Sequence, residues 1–515
     1  MNDNNKNAYG QYMTPYEIAE FMVSLIGKDQ NSKILEPSSG EGVFIEVLKK
    51  RGYKDITAYE IDKNISRIKD VIFQSFVSAE ILEKFDVVIG NPPYIRWKNL
   101  EIELKEELEK SHLYNSYLNN MIDYSAIFIV KSIEQLKQGG ELIFITPDYW
   151  LNTTHSLRLR DYILTNGEIR EIYSFNEAPI FKGVSVSLMV FKFTKGFSSN
   201  NRVKISKLKT FKKPTDENLK SMLNFENNSD VQSFESNQFQ KSKNWLLAND
   251  HELQKLQIFE YACKVKSNKN YEVLDDYCEI GNGMVSGLDK AFQVDYKLNE
   301  IEKINTIQVL KAKDLEQFFY KKTTSYIYIQ DHLNENDFQL KFPNFYRNLS
   351  LYIDQLKKRY NYGRDINYWE WVFLRNQNLF SQKVSKIFIP CKERISAKNY
   401  FRFSLVPENI YPTQDVTGII PKPETKESIQ YILGFLNTNY VFNWLKFKGI
   451  IKGNIVEFSR KPLATLPFRS IDFSNIKEVE IHNQITESVN DYLNNKNQVI
   501  LDTINSYFDV LMQSR

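Results

Sequence analysis

Cysteine is scarce in this 515-residue chain, which holds only Cys263, Cys278 and Cys391. Three cysteines cannot build a disulfide framework, so a reducing, cytoplasmic setting is expected. No run of 18 apolar residues occurs, and no membrane span is expected. The first seven residues are polar and lack the apolar stretch of a secretory leader. The five histidines, at 112, 155, 251, 332 and 482, lie too far apart for a metal-ligand spacing, so no metal is expected. No nuclease-like Asp…Glu-x-Lys cluster and no internal repeat stand out. What remains is an ordinary globular composition, 42% hydrophobic and 25% charged with a mean hydropathy of −0.45, long enough for two or three domains. Net charge is only +3, but it is uneven. Residues 1–200 carry 23 basic and 27 acidic side chains, against 44 and 37 beyond them. A basic second half is compatible with a surface that faces phosphates.

Short apolar runs alternate with helical patterns over the first 200 residues. Residues 14–26 have helical periodicity, with Thr14 as N-cap and Pro15 at the first helical position. Residues 33–35 form a short strand that runs into Glu36-Pro37-Ser38-Ser39-Gly40-Glu41-Gly42 and then a helix. Residues 56–60 form a second strand with an acidic end, and residues 87–89 a later one that stops at Asn91-Pro92-Pro93-Tyr94. A long helix is expected over 120–137, closed by Gly139-Gly140, then a strand at 142–146 and an antiparallel edge strand at 185–193. This order predicts an α/β, doubly wound, mainly parallel sheet. Ligands in such sheets bind outside the carboxyl ends of the strands. Glu36, Glu60 and Asn91 each stand at such an end, so one cleft is expected to collect them.

The residue types there suggest their chemistry. The turn at 36–42 has too little glycine for a pyrophosphate cradle. Its bent backbone and carboxylate suit a bulky, cationic ligand such as S-adenosylmethionine. An acid ending the second strand, Glu60, is placed to accept ribose hydroxyls. The Asn91 amide oxygen and the Pro92 carbonyl can accept both N–H bonds of a planar amine, while the Tyr94 ring stacks on the ring that carries it.

In motif order the first 200 residues resemble the gamma class of amino-methyltransferases, the DNA adenine-N6 enzymes of the TaqI type. Tyr12-Met13-Thr14-Pro15 resembles motif X, placed ahead of motif I as in that class. Residues 35–40 resemble motif I, Tyr59-Glu60-Ile61-Asp62 motif II and residues 91–94 motif IV. Ile180-Phe181 before Val184-Ser185-Val186-Ser187 resembles motif VIII. The resemblance implies S-adenosylmethionine as cofactor, held by Tyr12, Thr14, Glu36, Pro37, Ser38, Gly40, Glu60, Ile61, Ser75, Phe76 and Pro93. It implies Asn91, Pro92, Tyr94 and Phe181 as the catalytic set, with Phe181 on the far side of a flipped adenine. At motif III, where the class has Asp-Phe, this chain has Ser75-Phe76, and Ser75 offers a hydroxyl where a carboxylate is usual.

A Rossmann-like S-adenosylmethionine-dependent methyltransferase domain is therefore expected over 1–200. A linker or edge segment over 201–244 would lead to a mixed α+β DNA-specificity domain over 245–470 and a helical segment over 471–515. Residues 281–287 and 434–467 resemble the start and end of specificity domains in this class. Between them, residues 360–371 and Lys392-Glu393-Arg394 interleave aromatics with basic groups suited to phosphates and base edges. Pro390-Cys391, a dipeptide shared with cytosine-C5 enzymes, reads as structural because it lies in the second half. The expected activity is transfer of a methyl group to adenine N6 in double-stranded DNA. The expected partners are that DNA and a separate restriction endonuclease of the same site, with the protein itself monomeric. Cytosine N4 and a protein glutamine amide are the alternative acceptors. Those chemistries more often come with Ser in place of Asn91, or without motif X and a long reader domain.

Overall fold

Alternate residues of the central strands face opposite ways. Ile34, Val87 and Ile89 join one hydrophobic core, and Leu35 and Val88 the other. A sheet buried on both faces follows, and its strands read as continuous apolar runs. The computed structural model describes residues 12–65, 68, 70–181, 186–198, 202–264, 271–395, 398–452 and 454–514. The chain divides into two compact units between Glu252 and Leu253.

The first unit is built on nine strands: β1 Ile34–Glu36, β2 Ile56–Glu60, β3 Ile72–Phe73, β4 Phe85–Gly90, β5 Leu136–Pro147, β6 Gly167–Asn176, β7 Leu188–Lys195, β8 Arg202–Leu208 and β9 Val231–Asn237. Their order across the sheet is β3-β2-β1-β4-β5-β7-β6-β8-β9. Strands β1 to β5 pair in parallel. The chain steps outward from β1 to β3 and then returns to lay β4 on the other side of β1. That reversal opens a crevice at the carboxyl ends of β1 and β4. Helices α1 Tyr16–Ser24 and α2 Val43–Lys50 bury Phe21, Met22, Val47 and Leu48 on one face of the sheet. Helices α3 Ile102–Lys110, α4 His112–Tyr117, α5 Ser125–Gln135 and α6 Leu157–Asn166 cover the other with Leu108, Ile129 and Ile163.

Two expectations are corrected. Residues 136–140 do not continue a helix. They open β5, which pairs through Glu141–Phe144 with β4 and along its length with β7. Strand β7 is not an edge strand, because it lies antiparallel between β5 and β6 with its first six residues buried. Of the two readings of the segment after residue 200, linker or edge, the structure shows the edge of the sheet. Strands β8 and β9, with helix α7 Asp216–Leu223 between them, extend the sheet and bury Val203, Ile205, Met222 and Val231. Its polar residues occupy turns, such as the Asn228 side chain that accepts from the Asp230 and Val231 N–H groups at 2.8 Å.

The second unit is mixed α+β. A four-stranded antiparallel sheet runs Cys278–Asn282, Val416–Pro421, Lys386–Pro390, Ser404–Val406. Two three-stranded sheets and several short helices surround it. Helices Ile476–Asn495 and Gln498–Gln513 belong to this unit, burying Ile485, Val489, Ile504, Phe508 and Leu511. A buried ion pair, Arg469 with Glu478 at 3.0 Å, pins the first of them to the preceding segment. Among the described residues no helix is long and apolar enough to cross a membrane.

Candidate active site

The loops that leave β1, β2, β3 and β4 meet around one cleft. Of the residues expected to hold a cofactor, Tyr12, Thr14, Pro37, Ser38, Gly40, Glu60, Ile61, Ser75, Phe76 and Pro93 line it, together with Asn91. Glu36 lies fully buried at the end of β1, just before this lining. The turn after β1 is shaped by Gly40 and Gly42, whose φ angles of 54° and 90° favour glycine. It aims the Gly40 N–H at Glu60 Oε2, 2.8 Å away, while the Asp62 N–H meets Oε1 at 2.9 Å. Glu60 is thus held rigidly by two backbone donors.

Glu36 is the opposite case. Among the described residues neither of its carboxylate oxygens has a hydrogen-bond partner, and the buried Ser39 hydroxyl also lacks one. Burial first, and then the charge of Glu60, push the Glu36 carboxyl well above the usual range. A buried carboxyl without a donor awaits a cation. S-Adenosylmethionine carries an ammonium and a ribose diol, so the donor and acceptor set fits it. One wall of the cleft escaped the sequence reading. Tyr124 and Phe128 lie one helical turn apart at the start of α5, and Phe128 packs against Phe76 at 5.4 Å. Their i, i+4 spacing was the available signal. Lys131, the next residue on that stripe, donates to the carbonyls of Val77 and Ala79 at 2.8 and 2.6 Å and so fixes the loop that presents Ser75 and Phe76. Ser75 Oγ itself accepts from the Val77 N–H at 3.3 Å.

At the end of β4 the Asn91 side chain is held in one orientation. Its Nδ2 donates to the Tyr12 carbonyl at 2.8 Å and to Thr14 Oγ1 at 3.1 Å. A carbonyl can only accept, so Oδ1 is the atom left facing away from residues 12–14. The Tyr94 hydroxyl lies within hydrogen-bond reach of both Asn91 Oδ1 and the Ile145 carbonyl, the latter at 2.7 Å, and its single proton serves one of them at a time. Ser38 Oγ donates to the Asn91 carbonyl at 3.1 Å, tying the β1 and β4 loops together. Pro92 is buried, and among the described residues no hydrogen bond ends on its carbonyl. Phe181 is buried close to Tyr94, with ring centroids 6.4 Å apart and planes at 48°. The two rings do not form a parallel slot, because the ring of Tyr12 packs against both. Val184 and Ser185, part of the motif VIII resemblance, lie outside the described residues.

In the second unit the aromatic stretch 360–371 divides in two. Tyr368, Trp369 and Trp371 are core residues, with Trp371 Nε1 donating to the Ile327 carbonyl at 2.8 Å. Tyr360, Tyr362 and Arg364 are exposed. The Arg364 and Arg375 guanidinium groups sit 3.9 and 5.3 Å from the Phe373 ring centre, with Tyr362 6.0 Å from it and Tyr360 against Tyr362 at 4.6 Å. Glu393 is engaged by Arg402 at 2.7 Å. Cys391 Sγ lies 3.2 Å from Thr417 Oγ1 within the sheet region, consistent with a structural role.

A reversed α/β sheet with acids ending β1 and β2 and an Asn-Pro-Pro-Tyr loop ending β4 defines a methyltransferase that uses S-adenosylmethionine. Residues 6–181 match the Eco57I restriction-modification methylase family. The Type II methyltransferase M.HindII of Haemophilus influenzae is 45% identical over 515 residues, covering 98% of both chains. M.HincII of the same species is 44% identical over 507 residues, again 98% of each. The chain belongs to the Type II methyltransferases of restriction-modification systems. In overall fold it is similar to a Type IIL restriction-modification enzyme, MmeI, solved in complex with DNA. The TM-score is 0.61 with 11% identity, covering 97% of this chain and 72% of that one.

Proposed function

We propose that this protein methylates N6 of an adenine in double-stranded DNA, with the adenine turned out of the helix, and so protects the DNA from a restriction endonuclease of the same site. The observation that carries this reading is the fixed Asn91 amide at the end of β4, with Nδ2 committed to Tyr12 and Thr14. An amide oxygen accepts two hydrogen bonds, so the Tyr94 hydroxyl leaves one position open on Oδ1. That position and the Pro92 carbonyl accept the two N–H bonds of an aromatic amine. Holding both draws the nitrogen lone pair out of conjugation with the ring and orients it for direct attack. Tyr94 and Phe181 supply the faces that receive the base. A base inside a duplex cannot reach the foot of this cleft, so it must leave the stack.

S-Adenosylmethionine, when bound, supplies a methyl group on a positively charged sulfur. Glu36 pairs with its ammonium, Glu60 accepts from the ribose hydroxyls, and Ser75 and Phe76 flank the adenine ring. Thr14, Pro37, Ser38, Gly40, Ile61 and Pro93 complete the pocket. The group of exposed Tyr360, Tyr362 and Arg364 with half-buried Arg375 in the second unit is the surface we assign to DNA, since planar cations and rings of this kind serve phosphates and base edges. The Asn at position 91, where cytosine-N4 enzymes more often have Ser, favours adenine N6.

Single-molecule sequencing of genomic DNA from cells expressing the intact chain or Asn91→Ala tests this. N6-methyladenine at one short motif is expected only with the intact chain, while the variant still binds S-adenosylmethionine. Modification of cytosine N4, or of no base, defeats the proposal.

A further inference from the structure

Tyr12 was expected in the cofactor pocket, yet its ring points to another partner. It stacks on Tyr94 at 5.8 Å and 28° and on Phe181 at 5.8 Å and 20°. With Tyr94 and Phe181 6.4 Å apart, the three centroids form a nearly equilateral triangle. The Tyr12 ring therefore covers both aromatic faces that a planar substrate would use. Among the described residues no other ring packs against that side chain. It is 37% exposed, and no described hydrogen bond involves its hydroxyl. Its main chain is separately anchored, because the Tyr12 carbonyl accepts from Asn91 Nδ2 at 2.8 Å. Rotation about the Tyr12 side-chain bonds would move the ring away without releasing Asn91.

We propose that Tyr12 is a positioning residue for the acceptor base: its ring holds the stacking site in the DNA-free protein, and an incoming base must displace it while its carbonyl continues to orient Asn91. The inference rests on the proposed methylation of a planar base. Occupation by Tyr12 lowers apparent affinity by the fraction of molecules in which the site stands open. Only a base that stacks on Tyr94 and Phe181 better than a phenol ring does can compete. Weakly stacking groups and water are thereby kept from the Asn91 oxygen.

The test uses a duplex carrying the methylated motif, with the target adenine opposite an abasic site so that no base pair has to be broken. Tyr12→Ala is expected to bind this duplex about tenfold more tightly than the natural protein, from the loss of two ring stacks. Tyr12→Phe keeps the ring and is expected to restore the natural affinity. S-Adenosylmethionine affinity of each variant is measured alongside, so that any change in the cofactor cleft, which Tyr12 also lines, is read separately from duplex binding. A lowered KM for the abasic duplex would accompany the tighter binding. Unchanged or weaker duplex binding by Tyr12→Ala overturns the inference, as does a loss of cofactor affinity with duplex binding unaltered. Tyr12→Leu provides the same readout if the alanine variant is poorly folded. If the natural protein methylates no DNA base, the proposed function fails and this inference falls with it. If it methylates and Tyr12→Ala behaves like it, only this inference fails.

Discussion

Replacing Glu36 by Gln should move stability and cofactor binding in opposite directions. The carboxyl is fully buried with both oxygens unpaired, and its pKa stands well above the ordinary 4.5. The cause is burial, with the nearby charge of Glu60 adding to it. A carboxyl whose folded pKa is raised binds more protons in the folded than in the unfolded protein between those two values. Stability in the absence of ligand therefore falls as pH rises above about 4.5, by up to about 1.4 kcal/mol per pH unit, until the folded pKa is passed. Glu36→Gln has a similar shape but no proton to lose. Its stability relative to the natural protein should rise between pH 5 and pH 8, as read from urea melts at the two values. Binding should change the other way. A charge-assisted hydrogen bond to the cofactor ammonium is worth about 1.5–3 kcal/mol, so the variant should bind S-adenosylmethionine about 10- to 150-fold more weakly. Calorimetry in two buffers of different ionisation enthalpy adds a third signature. Binding to the natural protein should release a proton near and below the raised pKa, and binding to Glu36→Gln should not release it. An unchanged dissociation constant, or a variant less stable than the natural protein at pH 8, would refute the reasoning.

Ser75→Asp should tighten cofactor binding by about tenfold, because a carboxylate is a stronger acceptor for an adenine amine than a hydroxyl; an equal or weaker dissociation constant by calorimetry rejects that role. Arg364→Ala should weaken DNA binding and lower the slope of log affinity against log salt by about one, without changing the melting temperature. An unaltered slope would remove Arg364 from the phosphate contacts. Trp371→Ala, by contrast, removes a buried indole that donates to Ile327 and should destabilise the protein by about 3–5 kcal/mol. Denaturant melting checks this, and a loss below about 1 kcal/mol would show that Trp371 is not a core residue.

Local pattern was enough for the chemistry at the strand ends. An apolar run stopped by two prolines has few alternatives to a buried strand ending in a rigid loop, so Asn91 could be placed at a carboxyl end. Glu36 and Glu60 follow short apolar runs in the same manner, and the doubly wound arrangement brings all three loops to one side. The polar segment after residue 200 was left between linker and edge for an equally physical reason. Its strands alternate, as in Val203 and Ile205, but frequent Asn, Ser and Lys on turns and outer positions resemble a linker until the pairing partner is known. Strand β7 looked like an edge because its place between β5 and β6 depends on residues 41–53 and 12–28 positions before it, respectively.

By itself, then, the sequence determined which groups end the strands, since turn chemistry and apolar periodicity act over a few residues. Only the tertiary structure decided what those groups meet. It left Glu36 without a donor, gave Glu60 two backbone N–H groups and divided the tyrosines and tryptophans of 360–371 between core and surface. It also laid the ring of Tyr12 on Tyr94 and Phe181, residues 82 and 169 positions away. Burial and contact between such distant residues depend on how whole elements pack, and no short stretch of chain encodes that packing.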